Sequence, residues 1–160
     1  MKASELRIGN WVKLTKEFTD LASVPYRYNT VKVTYIKDGF AEKMESYIEG
    51  LDYLILWERF NPFEEDTGYT LSGCGIPYIE PIPLTEEWLL KFGYNCSNDV
   101  FEKNNKNYFL GNEEYWIQEH TEVNDFVFFG YDNSISVSIK HVHQLQNLYF
   151  ALTGEELILK

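Results

Sequence analysis

Cysteine and histidine are scarce in this chain of 160 residues, which contains two cysteines and three histidines. Cys74 and Cys96 lie too far apart in the sequence to match the short spacing of metal-binding cysteine pairs. Two cysteines also cannot build the multiple disulfides that hold small secreted domains together. We therefore expect both cysteines to remain thiols in a reducing compartment, the cytoplasm.

Hydrophobic runs of membrane-spanning length are also missing. The longest strongly apolar stretches are Leu54–Trp57 and Phe126–Phe129, whereas a transmembrane helix needs about 20 apolar residues. The first residues, Met1–Arg7, include charged side chains where a signal peptide requires an apolar segment. The sequence predicts a cytoplasmic protein that does not enter a membrane.

Positive charge is in the minority, because 14 Lys and Arg face 25 Asp and Glu and the net charge is −11. A uniformly acidic surface repels phosphate, which argues against a general nucleic-acid coat. No Lys or Arg lies between Asn107 and Ile139. We interpret the acidic residues of that stretch as a solvated face; the alternative is a docking surface for a basic partner or a mimic of nucleic-acid charge. These residues are Glu113, Glu114, Glu119, Glu122, Asp125 and Asp132.

Residues 1–40 differ from the rest of the chain in their charge, with seven basic and four acidic side chains. Tyr26, Arg27 and Tyr28 lie in this segment, and aromatic rings and guanidinium groups stack on nucleobases. We take these three residues as candidate partner-binding residues. A weak nucleic-acid-binding module in the N-terminal part is therefore one alternative function.

Sequence signatures of catalysis are absent, since there is no Gly-rich phosphate loop, Gly-x-Ser-x-Gly or His-Glu-x-x-His motif. We assign no catalytic residue and no cofactor. His141 and His143 would point the same way on a strand, and His120 would complete a metal site with them. A small metal-dependent hydrolase is the second alternative. Capping or packing roles fit the three histidines better, so no metal ligand is assigned.

Aromatic residues are abundant and make up 17% of the chain, within a hydrophobic total of 44%. In the N-terminal half, Val31, Val33 and Tyr35 alternate with polar residues, as in a half-buried strand. Gly39 supplies a tight turn into a return strand over Phe40–Met44. These patterns predict an antiparallel β-barrel-like module of SH3-like size over residues 1–80.

Two parts of this module stay open at the level of sequence. Residues 45–78 are either an insertion or further barrel strands, because their apolar run fits a strand or a buried helix equally well. Within that segment, Gly73, Cys74 and Gly75 predict a flexible turn.

The second half begins after Pro81 and Pro83, which hold the backbone extended and interrupt a sheet ladder. Thr85 is suited to cap a helix, and Gly93 is suited to end it. Further strands predict an antiparallel meander, and a second helix begins near Val142 and ends before Gly154. A last strand is expected over Leu157–Leu159.

The predicted fold class is therefore α+β. A helix–antiparallel sheet–helix module over residues 84–160 follows the barrel-like module, and the two modules pack as one compact unit. On the second helix we expect Gln144, Gln146 and Asn147 to face outward, where these amides bond to a sheet edge or to a partner.

Three segments resemble an uncharacterised family of small proteins encoded by gut Bacteroidetes and their phages, prophages and mobile elements. The segments are LRIGNWV at the start, IEPIPLTEEWLLKFGY in the middle and VHQLQNLYFALTGEEL near the end. The resemblance implies a genomic setting and no activity. With the absence of catalytic motifs, it leads us to expect a non-enzymatic interaction or accessory protein with an unknown protein partner.

Overall fold

The computed structural model describes residues 3–21, 30–38, 53–59, 72–75, 78–98, 105–110, 115–120, 125–130 and 135–160. The chain divides into two compact units, Met1–Ile82 and Pro83–Lys160. Each unit contains a five-stranded antiparallel sheet and at least one helix. The predicted α+β class with antiparallel sheets is confirmed. Among the described residues, no helix is long and apolar enough to cross a bilayer.

The first unit builds its sheet in the order β4-β3-β2-β1-β5. A short helix, α1 (Lys16–Leu21), follows the first strand, and a 3₁₀ turn spans Ala3–Glu5. The strands are β1 (Trp11–Leu14), β2 (Thr30–Asp38), β3 (Tyr53–Arg59), β4 (Ser72–Gly75) and β5 (Ile79–Glu80).

The first sheet is open, so the expected barrel closure is wrong for the described residues. Strands β4 and β5 lie at opposite edges of the sheet, and they do not pair with each other. Strand β5 is only two residues long. Pro81 follows it immediately and has no backbone N–H to extend the ladder.

The open question about residues 45–78 is resolved for the strands that the structure describes, because β3 and β4 are integral members of the first sheet. Cys74 pairs with Ile55 across the β3–β4 ladder, and Gly73 pairs with Leu56. The prediction of a flexible turn at this place is wrong, since a neighbouring strand supplies the backbone partners. The return strand predicted over Phe40–Met44 lies outside the described residues.

The core of the first unit includes the apolar residues that alternate with polar ones along β2. Val31 and Val33 are fully buried, whereas Lys32 between them is half-buried. The buried cluster consists of Leu6, Val12, Leu14, Val31, Val33 and Ile79.

The second unit is a meander whose strands follow one another in space, in the order β10-β9-β8-β7-β6. The predicted antiparallel meander is confirmed. Its first strand, β6, was not predicted, because its residues are polar. The helices are α2 (Glu86–Lys91) and α3 (Val142–Thr153). The strands are β6 (Asn95–Asn98), β7 (Asn105–Phe109), β8 (Trp116–His120), β9 (Asp125–Phe129) and β10 (Ser136–Ile139).

Local capping signals set the ends of both helices. The Thr85 side chain accepts a hydrogen bond from the Trp88 backbone N–H at the start of α2. Gly93 has φ 86° just after α2, and Gly154 ends α3 with φ 74°. Both glycines adopt a left-handed conformation that residues with a Cβ rarely take, as the sequence predicts.

The last segment differs from its prediction. Residues 157–159 form no strand, so the expected final strand is wrong. The backbone N–H of Lys160 donates to the Lys91 carbonyl at 2.9 Å, and the Leu157 carbonyl accepts from the Gln146 side chain at 3.5 Å. The segment therefore makes its hydrogen bonds with α2 and with a side chain of α3.

One face of the second sheet, called here the inner face, forms the core of the second unit. Cross-strand register places Tyr108, Ile117 and Phe128 side by side on it, and all three are fully buried. Leu89 of α2 and Leu145 of α3 are equally buried. The residues of the opposite face of the same sheet do not belong to this core.

Candidate interaction surface

The outer face of the second sheet is defined here as two rows of cross-strand neighbours opposite the inner face. Both rows cross all five strands, because each residue of a row is aligned with the next residue of the same row on the neighbouring strand. Row one is Asn95, Phe109, Trp116, Phe129 and Ser136. Row two is Ser97, Asn107, Gln118, Val127 and Ser138.

Three aromatic rings stand in a stack along the middle of row one. The Phe109 and Trp116 ring centroids are 6.2 Å apart, and those of Trp116 and Phe129 are 4.3 Å apart with planes 13° from parallel. All three side chains are half-buried. We call this stack the aromatic ridge. Each cross-strand aromatic pair adds about 0.2–1 kcal/mol to the pairing of its strands.

Shorter side chains surround the ridge. In row two the Gln118 amide donates to the Asn107 side-chain oxygen at 3.3 Å. At the two edges of the sheet, Asn95, Ser136 and Ser138 are exposed. The outer face thus combines a strip of three aromatic side chains with smaller side chains, most of which carry amide or hydroxyl groups.

The ten residues of the outer face include no charged side chain, although 24% of the chain is charged and its net charge is −11. Residues 83–160, which make up the second unit, contain five Lys and twelve Asp or Glu. The two rows are therefore uncharged, and on the same side of the sheet a third register row of Asn105, His120 and Asp125 places an acidic residue beside them.

Glu119 lies on the inner face and not on an acidic surface. Its carboxylate accepts a hydrogen bond from the Tyr108 hydroxyl at 2.5 Å, and only 8% of the residue is exposed. The prediction of a solvated or docking role is wrong for this residue, because alternation along β8 turns it inward. The other acidic side chains of the stretch lie outside the described residues.

A small polar cluster surrounds this buried carboxylate. Lys106 pairs across the strands with Glu119 and makes an ion pair of 2.8 Å with Glu86 of α2. Burial, with the nearby Glu119 carboxylate second, raises the pKa of Tyr108 well above the ordinary tyrosine value. The hydrogen bond to Glu86 raises the pKa of Lys106. Tyr108 is fully buried and Glu119 nearly so, and the ion pair between Lys106 and Glu86 joins the sheet to α2.

The histidines do not converge on a metal site in the described part of the chain. The rings of His141 and His143 stack with centroids 5.6 Å apart, and His143 is 3% exposed. The backbone of His141 caps α3. The described residues contain no group of three His, Cys, Asp or Glu side chains able to hold a metal ion. The side chain of His120 lies outside them.

The three amides of α3 have three different surroundings. Gln144 is exposed, and its side-chain oxygen accepts from the backbone N–H groups of Lys140 and His141 at 3.0 and 3.1 Å. Asn147 is half-buried. Gln146 is 1% exposed, so the expectation that it faces outward is wrong. It lies one residue after buried Leu145, on the side of the helix that faces the core.

The described part of the chain contains only three of the predicted partner-binding residues, those of α3. Tyr26, Arg27 and Tyr28 lie outside the described residues, Gln146 is buried and Gln144 caps a helix. The outer face was not predicted from the sequence. Phe109, Trp116 and Phe129 each have a second outward-facing residue two positions away in the same strand. Such alternation is visible in the sequence, but it becomes a surface only when the register between strands is known.

No protein-family model, no curated protein and no solved structure matches this chain. The interpretation of the outer face therefore depends on its own geometry and charge.

Proposed function

We propose that this chain is a non-enzymatic interaction protein of phage or mobile-element origin, which works in the cytoplasm through protein–protein contacts made by the outer face. The resemblance of three sequence segments to the Bacteroidetes family supports the origin. The observation that carries the proposed activity is the aromatic ridge, which lies among the uncharged side chains of the two rows of the outer face.

The chemistry of the outer face matches the central part of a protein interface. Such centres are depleted in charged residues and enriched in aromatic ones, with a polar rim around them. Trp116 occupies the middle of the ridge, with Phe109 on one side and Phe129 on the other. Tryptophan is the residue type that most often dominates binding energy when it lies at such a centre.

The proposal is tested by cross-linking from two neighbouring positions of β10. A photo-reactive amino acid replaces Ser136 on the outer face in one variant and Val137 on the inner face in the matched control. Both positions are exposed, and Val137 is 39% exposed. We expect light to join the Ser136 variant, but not the Val137 variant, to one defined protein in cells that normally contain the chain.

A captured protein counts only if it also binds the purified chain and loses that binding when Ser136 is changed to Asp. Equal cross-linking from both positions, or none from Ser136, would contradict the proposed contact surface.

A further inference from the structure

One edge of the second sheet, the side of β6 that faces away from β7, has no neighbouring strand in the described part of the chain. We propose that this edge, called here the β6 edge, binds an extended peptide segment of a partner protein as a sixth strand. The inference goes beyond the proposed function, because it uses backbone groups at the edge of the sheet and not the aromatic ridge.

The register of the sheet determines which backbone groups point out of the β6 edge. The Gly130 N–H donates to the Ile135 carbonyl at 3.1 Å, which identifies the pairs of β9 and β10 that exchange hydrogen bonds. Successive residues of a strand direct their N–H and C=O groups to opposite neighbours. Followed across the aligned pairs, this alternation directs the backbone of Asn95 and Ser97 to β7 and that of Cys96 outward.

Two hydrogen bonds at the borders of the sheet agree with this assignment. It directs the N–H of Tyr94 away from β7, and that N–H donates to the Leu89 carbonyl of α2 at 3.0 Å. It also directs the backbone of Lys140 away from β9, and the Lys140 carbonyl accepts from the Leu84 N–H at 2.9 Å. The chain itself thus supplies partners for the outward groups at these two positions.

Cys96 has no such partner among the described residues, none of which forms a hydrogen bond with its outward N–H and C=O groups. Cys96 is exposed, and so are Asn95 and Ser97 on either side of it. Backbone groups that are open in this way along a strand pair with another extended backbone, which offers complementary groups at the same spacing. The β6 edge therefore specifies an extended peptide as its occupant.

The side chains of the β6 edge do not oppose such pairing. Edges that are protected against pairing carry charged side chains, proline or a β-bulge. The exposed residues Asn95, Cys96 and Ser97 include no charge and no proline, and the register between β6 and β7 has no shift. Because β6 is four residues long, it contacts only a short segment of the partner.

Charge narrows the chemistry of the occupant. Residues 83–160 contain five Lys and twelve Asp or Glu. An acidic segment is repelled by this unit, whereas a neutral or basic segment is not. We therefore expect the added strand to be neutral or basic.

Selection from a random heptapeptide library displayed on phage tests the inference with the purified full chain. We expect the enriched peptides to be neutral or basic. Synthetic versions are then methylated at one backbone nitrogen at a time, which removes one N–H donor. Since a paired strand directs alternate N–H groups to its neighbour, binding is expected to fall at least about tenfold at every second position and to change little at the positions between.

Two variants at position 96 provide the matched control. Cys96→Pro removes the outward N–H and leaves the hydrogen bonds from Asn95 and Ser97 to β7 in place, because proline is tolerated where an edge strand faces solvent. It is expected to weaken peptide binding at least about tenfold. Cys96→Ala keeps the N–H and is expected to bind like the parent. Circular dichroism checks the fold of both variants, and the methylation pattern decides alone if Cys96→Pro does not fold.

The inference would be overturned if no peptide were enriched, if folded Cys96→Pro bound as well as the parent, or if methylation effects lacked the period of two. Loss of binding in Cys96→Ala would assign the binding to the thiol and would also overturn it. Sedimentation distinguishes a second copy of this chain. A parent that dimerises while Cys96→Pro stays monomeric would replace the partner protein by that copy.

Discussion

Tyr108 and Glu119 lie on adjacent strands of the inner face, where neither has ready access to water. A buried carboxylate is costly unless it accepts hydrogen bonds, and the Tyr108 hydroxyl supplies one at 2.5 Å. Lys106, which lies across the strands from Glu119, adds a nearby positive charge. At the scale of single residues, these buried polar groups stabilise the second unit. The proposed contact with a partner is made by the outer face.

Removing this carboxylate leaves the buried Tyr108 hydroxyl without its acceptor. We expect Glu119→Ala to lower the free energy of unfolding by about 2–3 kcal/mol, measured by urea denaturation. Glu119→Gln keeps an acceptor oxygen and is expected to cost less. Glu87→Ala, at an exposed position of α2, is the control and should leave the urea midpoint nearly unchanged. An Ala variant at position 119 as stable as the parent would show that this hydrogen bond contributes little.

At the scale of secondary-structure elements, α3 covers part of the inner face through a side that includes polar residues. Val142, Leu145 and Gln146 are buried, whereas Leu148 is half-buried. Residues 142, 145, 146 and 149 share one side of a helix because it turns 100° per residue. Burial along α3 thus follows helix geometry more closely than residue polarity.

This arrangement predicts an order of stability for two leucine variants of α3. Leu145→Ala is expected to cost about 2–5 kcal/mol, the usual range for a fully buried leucine. Leu148→Ala is expected to cost clearly less, because solvent already reaches part of its side chain. Denaturant midpoints measured on both variants check the order. A larger loss for Leu148 than for Leu145 would mean that α3 is rotated relative to the sheet.

Local signals in the sequence predicted the features of the fold that depend on local chemistry. Thr85 and Gly93 bound α2 because capping needs only a side-chain acceptor at one end and a left-handed residue at the other. Strand β6 was not predicted, since Asn95–Asn98 has neither apolar alternation nor high strand propensity. Gln146 was misplaced because its polarity was given more weight than its position on the helix.

The outer face could not be predicted from such local signals. Trp116 and Phe129 are distant in sequence and meet only through the pairing of β8 with β9. Without that register, an aromatic residue in a strand is as consistent with a buried core as with an outer face.

At the scale of the whole molecule, an acidic chain with a net charge of −11 presents one described sheet face that has no charge in its two rows. Charge keeps acidic surfaces apart, whereas the two uncharged rows allow a contact that buries aromatic area. The central claim is that Trp116, at the middle of that face, becomes covered when the protein meets its partner.

Fluorine NMR of the chain labelled with fluorotryptophan tests this claim most directly. Replacing single tryptophans by phenylalanine assigns the resonances, and the spectrum in dilute buffer is compared with that in an extract of cells that normally contain the chain. The account predicts that the Trp116 resonance shifts or broadens while that of Trp88, on α2, does not. An unchanged Trp116 resonance beside a shifted Trp88 resonance would contradict the account.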